Sequence, residues 1–473
     1  METRTHFKKR TQKKVATTQN KMNENESKRY LITYEDESVS CEQATKILGL
    51  AKNKCKEGVA FMASDAIPSK DDVLHFESLG ISTIELNAEE AKKISQSKGV
   101  LAVEEDVEMF ALGAPENDEE QFRELFMNSE EMVEFSETDQ TQDFDQGYDQ
   151  ALIDVFANLL KARNKPGSQR VDSSLSLVPL QPIGWNISMV GAPRAWSRNI
   201  RGSGVRVAIL DTGIASHPDL TISGGVSFVP GATSFNDVNG HGTHVAGTVA
   251  ARNNPIGVVG VAPSALLYAV QVLKHDPLTG RAPGLVSWII AGMEWCVLNG
   301  IKVANMSLGG DSAPLVAFAT AVKRCQDNGV TVVVSSGNSF GTAFPWVGTP
   351  ANSISAGQPN ASPIVVGAIN SASVIAGFSS RGGQTTPWNQ VTCVAPGVSI
   401  RSTYLGNGYF LDNGTSMACP HVAGLAALII QRYPGITPAN VKRRITTTCR
   451  DLGAFGPDIT HGFGLINCDL AIG

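Results

Sequence analysis

The sequence predicts an α/β fold: a mostly parallel central sheet with helices on both faces fills the chain from about residue 180 onward, preceded by a small α+β unit. The first observation is four continuous apolar runs, "VRVAIL", "LLYAVQVL", "VANMSL" and "VTVVVSS". Strands buried on both faces read this way. The second is that stretches of helical period, "GLVSWIIAGMEWCVL" and "PLVAFATAVKRC", alternate with these runs, as crossover helices between parallel strands do. The third is a composition break. Between Glu116 and Asp149 thirteen acidic residues face Arg123 alone, so about −12 of charge falls there and roughly +6 is left for the remainder of a chain whose net charge is −6.

Taken in order, residues 1–28 form a polar, basic tail that is expected to be disordered. Residues 29–112 predict a strand at 30–34, a helix over 42–55, strands at 58–63, 73–77 and 81–86, a helix over 88–97 and a last strand "VLAVEEDVEMF". This is a unit of split βαβ type. Residues 113–178 read as an acidic linker with one amphipathic helix, which carries Leu152, Val155, Phe156, Leu159 and Leu160 on one face and is broken by "NKPGSQRVDSS". Residues 179–473 are the main domain.

The bulk numbers narrow the function. The chain has 473 residues, enough for two or three domains, and its 42% hydrophobic content suits a globular protein with a sizeable core. No basic stripe with interleaved aromatics supports a nucleic-acid partner. The longest clean apolar stretch, around residues 421–430, is too short to span a bilayer, and no apolar segment of the secretory type follows the basic N-terminus. Eight cysteines make no dense disulfide scaffold. Cys449 with Cys468, and Cys296 with Cys325, are candidate bridges in an oxidising compartment; buried free thiols are the equal alternative.

Three short stretches carry chemistry. "AILDTG" puts Asp211 just past an apolar strand, where open parallel sheets gather their active groups. "NGHGTHVAGTVAA" puts His241 at the start of a small-residue helix, and the absence of H-E-x-x-H or ligand-spaced carboxylates argues against zinc on His241 and His244. "NGTSMACPHVAG" puts Ser416 at the mouth of a helix that is apolar on every side. Unpaired N–H groups and the positive end of the helix dipole favour negative charge there. A serine hydroxyl needs a base held in its useful tautomer by a carboxylate, and Ser416, His241 and Asp211 are the three groups required.

"DTG", "HGTHVAGT" and "GTSMACPHVAG" resemble the three signature blocks of the subtilisin family of serine proteases, and the resemblance runs from about Gln181 to the C-terminus. It implies a subtilisin-like catalytic domain and a serine endopeptidase working through an acyl-enzyme. In it Ser416 attacks, His241 moves the proton, Asp211 orients His241, and Asn338 of "SSGNS" donates to the oxyanion. Cys419 stands where many relatives carry threonine, so a tuned rate is expected. Ser307, Leu308 and Gly309 would form one edge for an extended substrate, and Gly284 with Leu285 the other. Val286, Ile289 and Leu308 would line an apolar pocket for the fourth residue before the cut, unless they are simply core. Ser339 stands where some relatives are acidic, so no strong preference for a basic residue is expected.

The resemblance also implies calcium, held by Gln181, Asp219, Arg252, Asn254, Ile256 and Val258. Less sharply, residues 29–112 resemble the ferredoxin-like propeptide that serves as folding chaperone and inhibitor. Phe110 or Met109 would then meet the apolar pocket, and self-cleavage would fall near Leu112 to Ala114. A monomeric zymogen acting on protein or peptide substrates is the expectation, with its own propeptide as intramolecular inhibitor. The alternative is a dedicated processing protease for one partner peptide. Secretion is favoured by the resemblance, and a cytoplasmic place or non-standard export stays open because no signal peptide is visible.

Overall fold

The computed structural model describes residues 27–36, 38–64, 68–112, 181–353, 362–383 and 390–473. The tail at 1–26 and the acidic stretch with its amphipathic helix lie outside the described residues.

The N-terminal part builds a five-stranded sheet in the order β2-β3-β4-β1-β5 from β1 (Lys28–Tyr34), β2 (Cys55–Glu57), β3 (Val73–Phe76), β4 (Ile81–Leu86) and β5 (Val100–Glu105). Helices α1 (Cys41–Leu48), α2 (Gly58–Met62) and α3 (Ala88–Ile94) connect the strands. Ser40 and Gln43 form a reciprocal capping box at the start of α1, and Gly49, at φ 70°, ends it in a left-handed turn. The helix expected over 42–55 therefore stops early. The strand expected at 58–63 is instead helix α2, because the Glu57 carboxylate accepts from the N–H groups of Val59 and Ala60 at 3.2 and 2.7 Å. This shift explains why the sequence hid a disulfide. In one continuous helix Cys41 and Cys55 would stand about 20 Å apart, whereas the turn brings their Cα atoms to 5.8 Å and the two are bonded. Cys296, Cys325, Cys449 and Cys468, the candidates read from the sequence, are all free thiols.

Alternation along β1 divides the sheet between two cores. Tyr30, Ile32 and Tyr34 pack with Ala44, Ala91 and Ile94 of its own helices, whereas Leu31 joins Phe76, Leu79 and Ile81 in the core of the main domain. The second face thus rests on α4 of the main domain (Val286–Leu298) and on α5 (Val316–Asp327). Carboxylates fix the docking, two of them at helix N-termini and the third from within α4 to the turn after β3. Glu104 accepts from the N–H groups of Val316 and Ala317 at 2.8 and 2.9 Å, Asp106 accepts from that of Ser287 at 2.9 Å, and Glu294 accepts from that of Ser78 at 2.9 Å. Carboxylates suit the orphan donors of a helix N-terminus.

The segment expected as one strand to residue 110 is broken at Asp106 and Val107. β5 stays in the N-terminal sheet, but β6 (Glu108–Ala111) leaves it to lie between β10 (Pro283–Leu285) and β12 (Leu308–Gly309), antiparallel to both.

The main domain is built on a seven-stranded sheet in the order β15-β14-β13-β11-β7-β9-β8, every pairing parallel: β7 (Arg206–Asp211), β8 (Ile222–Ser227), β9 (Leu266–Gln271), β11 (Val303–Met306), β13 (Thr331–Ser335), β14 (Ile364–Ile369) and β15 (Cys393–Pro396). The apolar runs are buried along almost their whole length, as the sequence leads one to expect. The strand order turns back at β7, which leaves a crevice beside its carboxyl end. A hairpin, β16 (Ile400–Thr403) with β17 (Tyr409–Asp412), precedes the longest helix among the described residues, Thr415–Arg432. Among the described residues no helix is long and apolar enough to cross a membrane.

Phe76 is fully buried where the N-terminal sheet meets the main domain. Phe76→Ala is expected to cost about 3–5 kcal/mol, read as a lowered denaturant midpoint of the full-length chain; a loss below about 1 kcal/mol would contradict the shared core.

Candidate active site

Asp211 is the last residue of β7 and is fully buried. One carboxylate oxygen accepts from the N–H of Thr212 at 2.7 Å and lies 2.8 Å from His241 Nδ1. His241 opens a helix (His241–Ala250) whose first turn is tied down by another buried carboxylate. Asp237 accepts from the N–H groups of Asn239, Gly240 and Thr243 and from the Thr243 hydroxyl, at 2.7 to 3.0 Å. Isolated burial of such a charge would cost several kcal/mol, and four donors counter it in part, so burial still leaves this carboxyl above its ordinary range. Asp237 lies three residues ahead of Gly240, the residue at which the helix starts, and so outside the N-cap position where sequence marks such a carboxylate.

Burial is the largest single influence and works against a charge on His241, but the carboxylates of Asp211, Asp412 and Asp237, with the hydrogen bond to Asp211, together outweigh it and hold the imidazole above the ordinary histidine range. With Nδ1–H directed at Asp211, the Nε2 lone pair faces the cleft, and Nε2 has no hydrogen-bond partner among the described residues. His244, one turn on, is committed elsewhere: its Nε2 lies 2.9 and 3.1 Å from the carbonyl oxygens of Ile400 and Phe410.

Ser416 is the second residue of the helix Thr415–Arg432 and is fully buried. Its hydroxyl donates to the Ser307 carbonyl at 3.0 Å, and the Ser307 hydroxyl donates back to the Ser416 carbonyl at 3.0 Å. Asn338 follows β13. Its amide oxygen accepts from the N–H and hydroxyl of Thr415 at 2.9 and 2.8 Å, which leaves Nδ2 directed into the cleft, where it donates to the carbonyl oxygen of Leu112. Thr415 is thus a positioning residue, a role that its place in the block does not reveal by itself. A Cβ on Gly414, at φ 152°, would come within 2.6 Å of that Leu112 oxygen, so only glycine leaves the space free. Cys419 lies deeper, fully buried against the Met306 carbonyl, and burial pushes its thiol far up.

The edges expected to hold an extended chain hold β6. Gly284 stands opposite Met109 and Leu285 opposite Glu108, while Leu308 stands opposite Ala111 and Gly309 opposite Phe110. Val286 N–H donates to Val107 O at 3.0 Å, and Leu112 N–H donates to Ser307 O at 3.4 Å. Of the two candidates for the apolar pocket, Met109 is the buried one, sharing the core of the main domain with Val286, Ile289 and Leu308. Phe110 faces Arg281 instead, whose guanidinium carbon is 5.0 Å from the ring centroid. Ser339 donates to the Asp311 carboxylate at 2.7 Å, and Asp311 was not singled out in the sequence.

The six residues expected around calcium also meet. Gln181 Nε2 is 2.5 Å from the carbonyl oxygens of Ile256 and Val258, and Gln181 Oε1 accepts from Asn254 N–H at 3.0 Å. Asp219 accepts from Asn254 Nδ2 and Val258 N–H at 2.8 and 2.9 Å, and its own carbonyl accepts from Arg252 N–H at 2.8 Å. Among the described residues no three His, Cys, Asp or Glu side chains group as metal ligands; Asp219 is the one carboxylate of this set.

A buried carboxylate–imidazole pair, a serine at a helix N-terminus and an amide donor aimed at a carbonyl oxygen together suit acyl transfer. Comparison with known proteins points the same way. Residues 202–464 match the subtilase family of S8 peptidases. The chain is 47% identical over 291 residues to subtilisin BL of Lederbergia lenta, which covers 62% of this chain and 99% of that protein. It is 47% identical over 291 residues to an alkaline protease of Shouchella clausii, with 62% and 70% covered, and 45% identical over 295 residues to a subtilisin of Bacillus pumilus, with 62% and 99% covered. A match of this length across the sheet and all three sequence blocks leaves one conclusion: the chain belongs to the subtilase family and is a subtilisin-like serine endopeptidase.

Proposed function

We propose that this endopeptidase is made as a self-processing zymogen that cuts peptide bonds through Asp211, His241 and Ser416, with residues 29–112 as its chaperone and inhibitor. The observation that carries the reading is the position of β6. Paired on both edges as a substrate backbone would be, it delivers the Leu112 carbonyl to Asn338 beside the helix that carries Ser416.

In this reading the Ser416 hydroxyl turns from the Ser307 carbonyl to His241 Nε2. Nε2 accepts the hydroxyl proton as Oγ bonds to the scissile carbonyl carbon. The Asp211 carboxylate keeps Nδ1–H in place and stabilises the imidazolium that results. Charge gathering on the carbonyl oxygen meets Asn338 Nδ2, already oriented by Thr415, so little reorganisation is needed. His241 then returns the proton to the leaving amine, and water repeats the sequence to release the acyl group. The first bond cut is Leu112–Gly113; the acidic segment between the two domains is trimmed later.

Calcium fits the cluster around Asp219. One carboxylate and the main-chain carbonyls of Ile256 and Val258 are hard oxygen donors of the kind this ion takes; the amides of Gln181 and Asn254, whose nitrogens face those carbonyls and Asp219, would have to turn their oxygens inward, and the Arg252 carbonyl would complete the set. When bound it would supply charge that ties residue 181 to the loop at 252–258, and no chemical step passes through it.

Three outcomes test the proposal. Wild-type protein should yield a new N-terminus at Gly113 and label with a fluorophosphonate, and Ser416→Ala should stay uncut and unlabelled; an alanine variant that still self-processes would refute the triad. Because His241 must be neutral to accept a proton and its folded pKa is raised, kcat/KM should fall on acidification with a midpoint above about 6.5, and Asp211→Asn should move that midpoint down. A flat profile from about pH 5 to 9 would contradict it. Chelation of calcium should lower the thermal midpoint by several degrees, and Asp219→Asn should shrink the difference; equal midpoints with and without chelator would remove calcium from the account.

A further inference from the structure

The pocket that receives the side chain before the cut is filled by Leu112, and only about 10 Å³ is left around it. Gly309 and Gly310 form one wall, Ser335 to Gly337 the other, and Gly348 with Thr349 close it. These residues are all uncharged. Asp311 is the exception: it belongs to the same lining and is exposed.

Its place is well fixed. Gly310 and Thr349 exchange main-chain hydrogen bonds at 2.8 and 3.0 Å, so the chain enters Asp311 from a two-way bridge. Across the pocket, Ser339 Oγ lies 2.7 and 2.8 Å from the two carboxylate oxygens of Asp311. The two walls are joined at their outer ends by this contact. Among the described residues Asp311 takes part in no ion pair. The guanidinium of Arg381 is turned away, stacked 4.2 Å from the Phe340 ring and donating to main-chain carbonyls at Ser379 and Ala376.

Taking the peptidase reading as its basis, we propose that Asp311 is a specificity-determining residue, which makes the enzyme favour peptides with lysine or arginine immediately before the cut. The stem of such a side chain fills the space Leu112 occupies. Its cationic end, two bonds or more further from Cα than the methyl groups of leucine, then reaches the mouth and the Asp311 carboxylate. Ser339 holds that carboxylate in position without neutralising it. The absence of an acidic residue at 339 therefore does not remove a basic preference; the opposite wall supplies the charge. Leu112 leaves Asp311 without a cationic partner, so the chain's own tail does not exploit the strongest contact this pocket offers.

The test uses the self-processed full chain and two fluorogenic peptides, Met-Phe-Ala-Lys and Met-Phe-Ala-norleucine, whose last residues share one carbon skeleton and differ only in the terminal ammonium of lysine. The wild type should hydrolyse the lysine peptide with the higher kcat/KM. Asp311→Asn should reduce the lysine-to-norleucine ratio on the order of fivefold, the size expected for a partly screened ion pair. In the wild type, raising salt to about 1 M should compress the same ratio, and Asp311→Lys should invert it. A ratio unchanged in Asp311→Asn, or a wild type that prefers norleucine, would overturn the proposal. Failure to cut either peptide would instead sink the peptidase reading and this inference with it.

Discussion

The parallel register of three central strands is the constraint from which the site follows. Val303 pairs with Val207 on one side and with Thr331 on the other, so β7, β11 and β13 run level and end together. Asp211, Ser307 and Asn338 lie at or just beyond those ends, though more than a hundred residues separate the first from the last. A slip of one strand by a single residue would turn its inward side chains outward and take the site apart along with the core. Burial on both faces of the sheet is what holds the register, and the site inherits its precision from that packing.

Helix N-termini complete what the strand ends begin. His241 and Ser416 each lie in the first turn of a helix: side chains satisfy the N–H groups of the turn that carries His241, while the axial dipole favours negative charge beside Ser416. The chain uses the same physics twice more for assembly, where Glu104 and Asp106 of the N-terminal part meet the helices at Val316 and Val286. One set of orphan donors positions the chemistry and another set docks the domain proposed to restrain it. Thr415 links the two kinds of order: it belongs to the helix that carries Ser416, and it holds the oxygen of Asn338 so that the nitrogen faces the cleft.

The N-terminal part was the harder one to read. β1, β4 and α3 stand out by period and caps, but in the stretch 42–63 helix and strand signals overlap and the sequence does not separate them. Gly49 and the Glu57 side chain decide the boundaries there, through a left-handed turn and a cap that act on only a few residues. The consequence reached further than the elements themselves, since the Cys41–Cys55 bridge is visible only once the turn is in place. The break at Asp106 and Val107 was equally hidden. Nothing local separates β5 from β6; they part because each finds a different partner, the one in its own sheet and the other in the cleft.

The sequence by itself determined the fold class, the family and the residues proposed for the triad, the amide donor and the calcium cluster, because apolar runs, helix periods and three long blocks are local signals that survive without coordinates. Tertiary structure decided what depends on residues far apart in the chain: that Met109 is buried in the core whereas Phe110 faces Arg281, that Thr415 orients Asn338, and that Asp311 stands across from Ser339. Contacts of this kind carry no period and no spacing rule. They are set by which walls the packed sheet brings face to face.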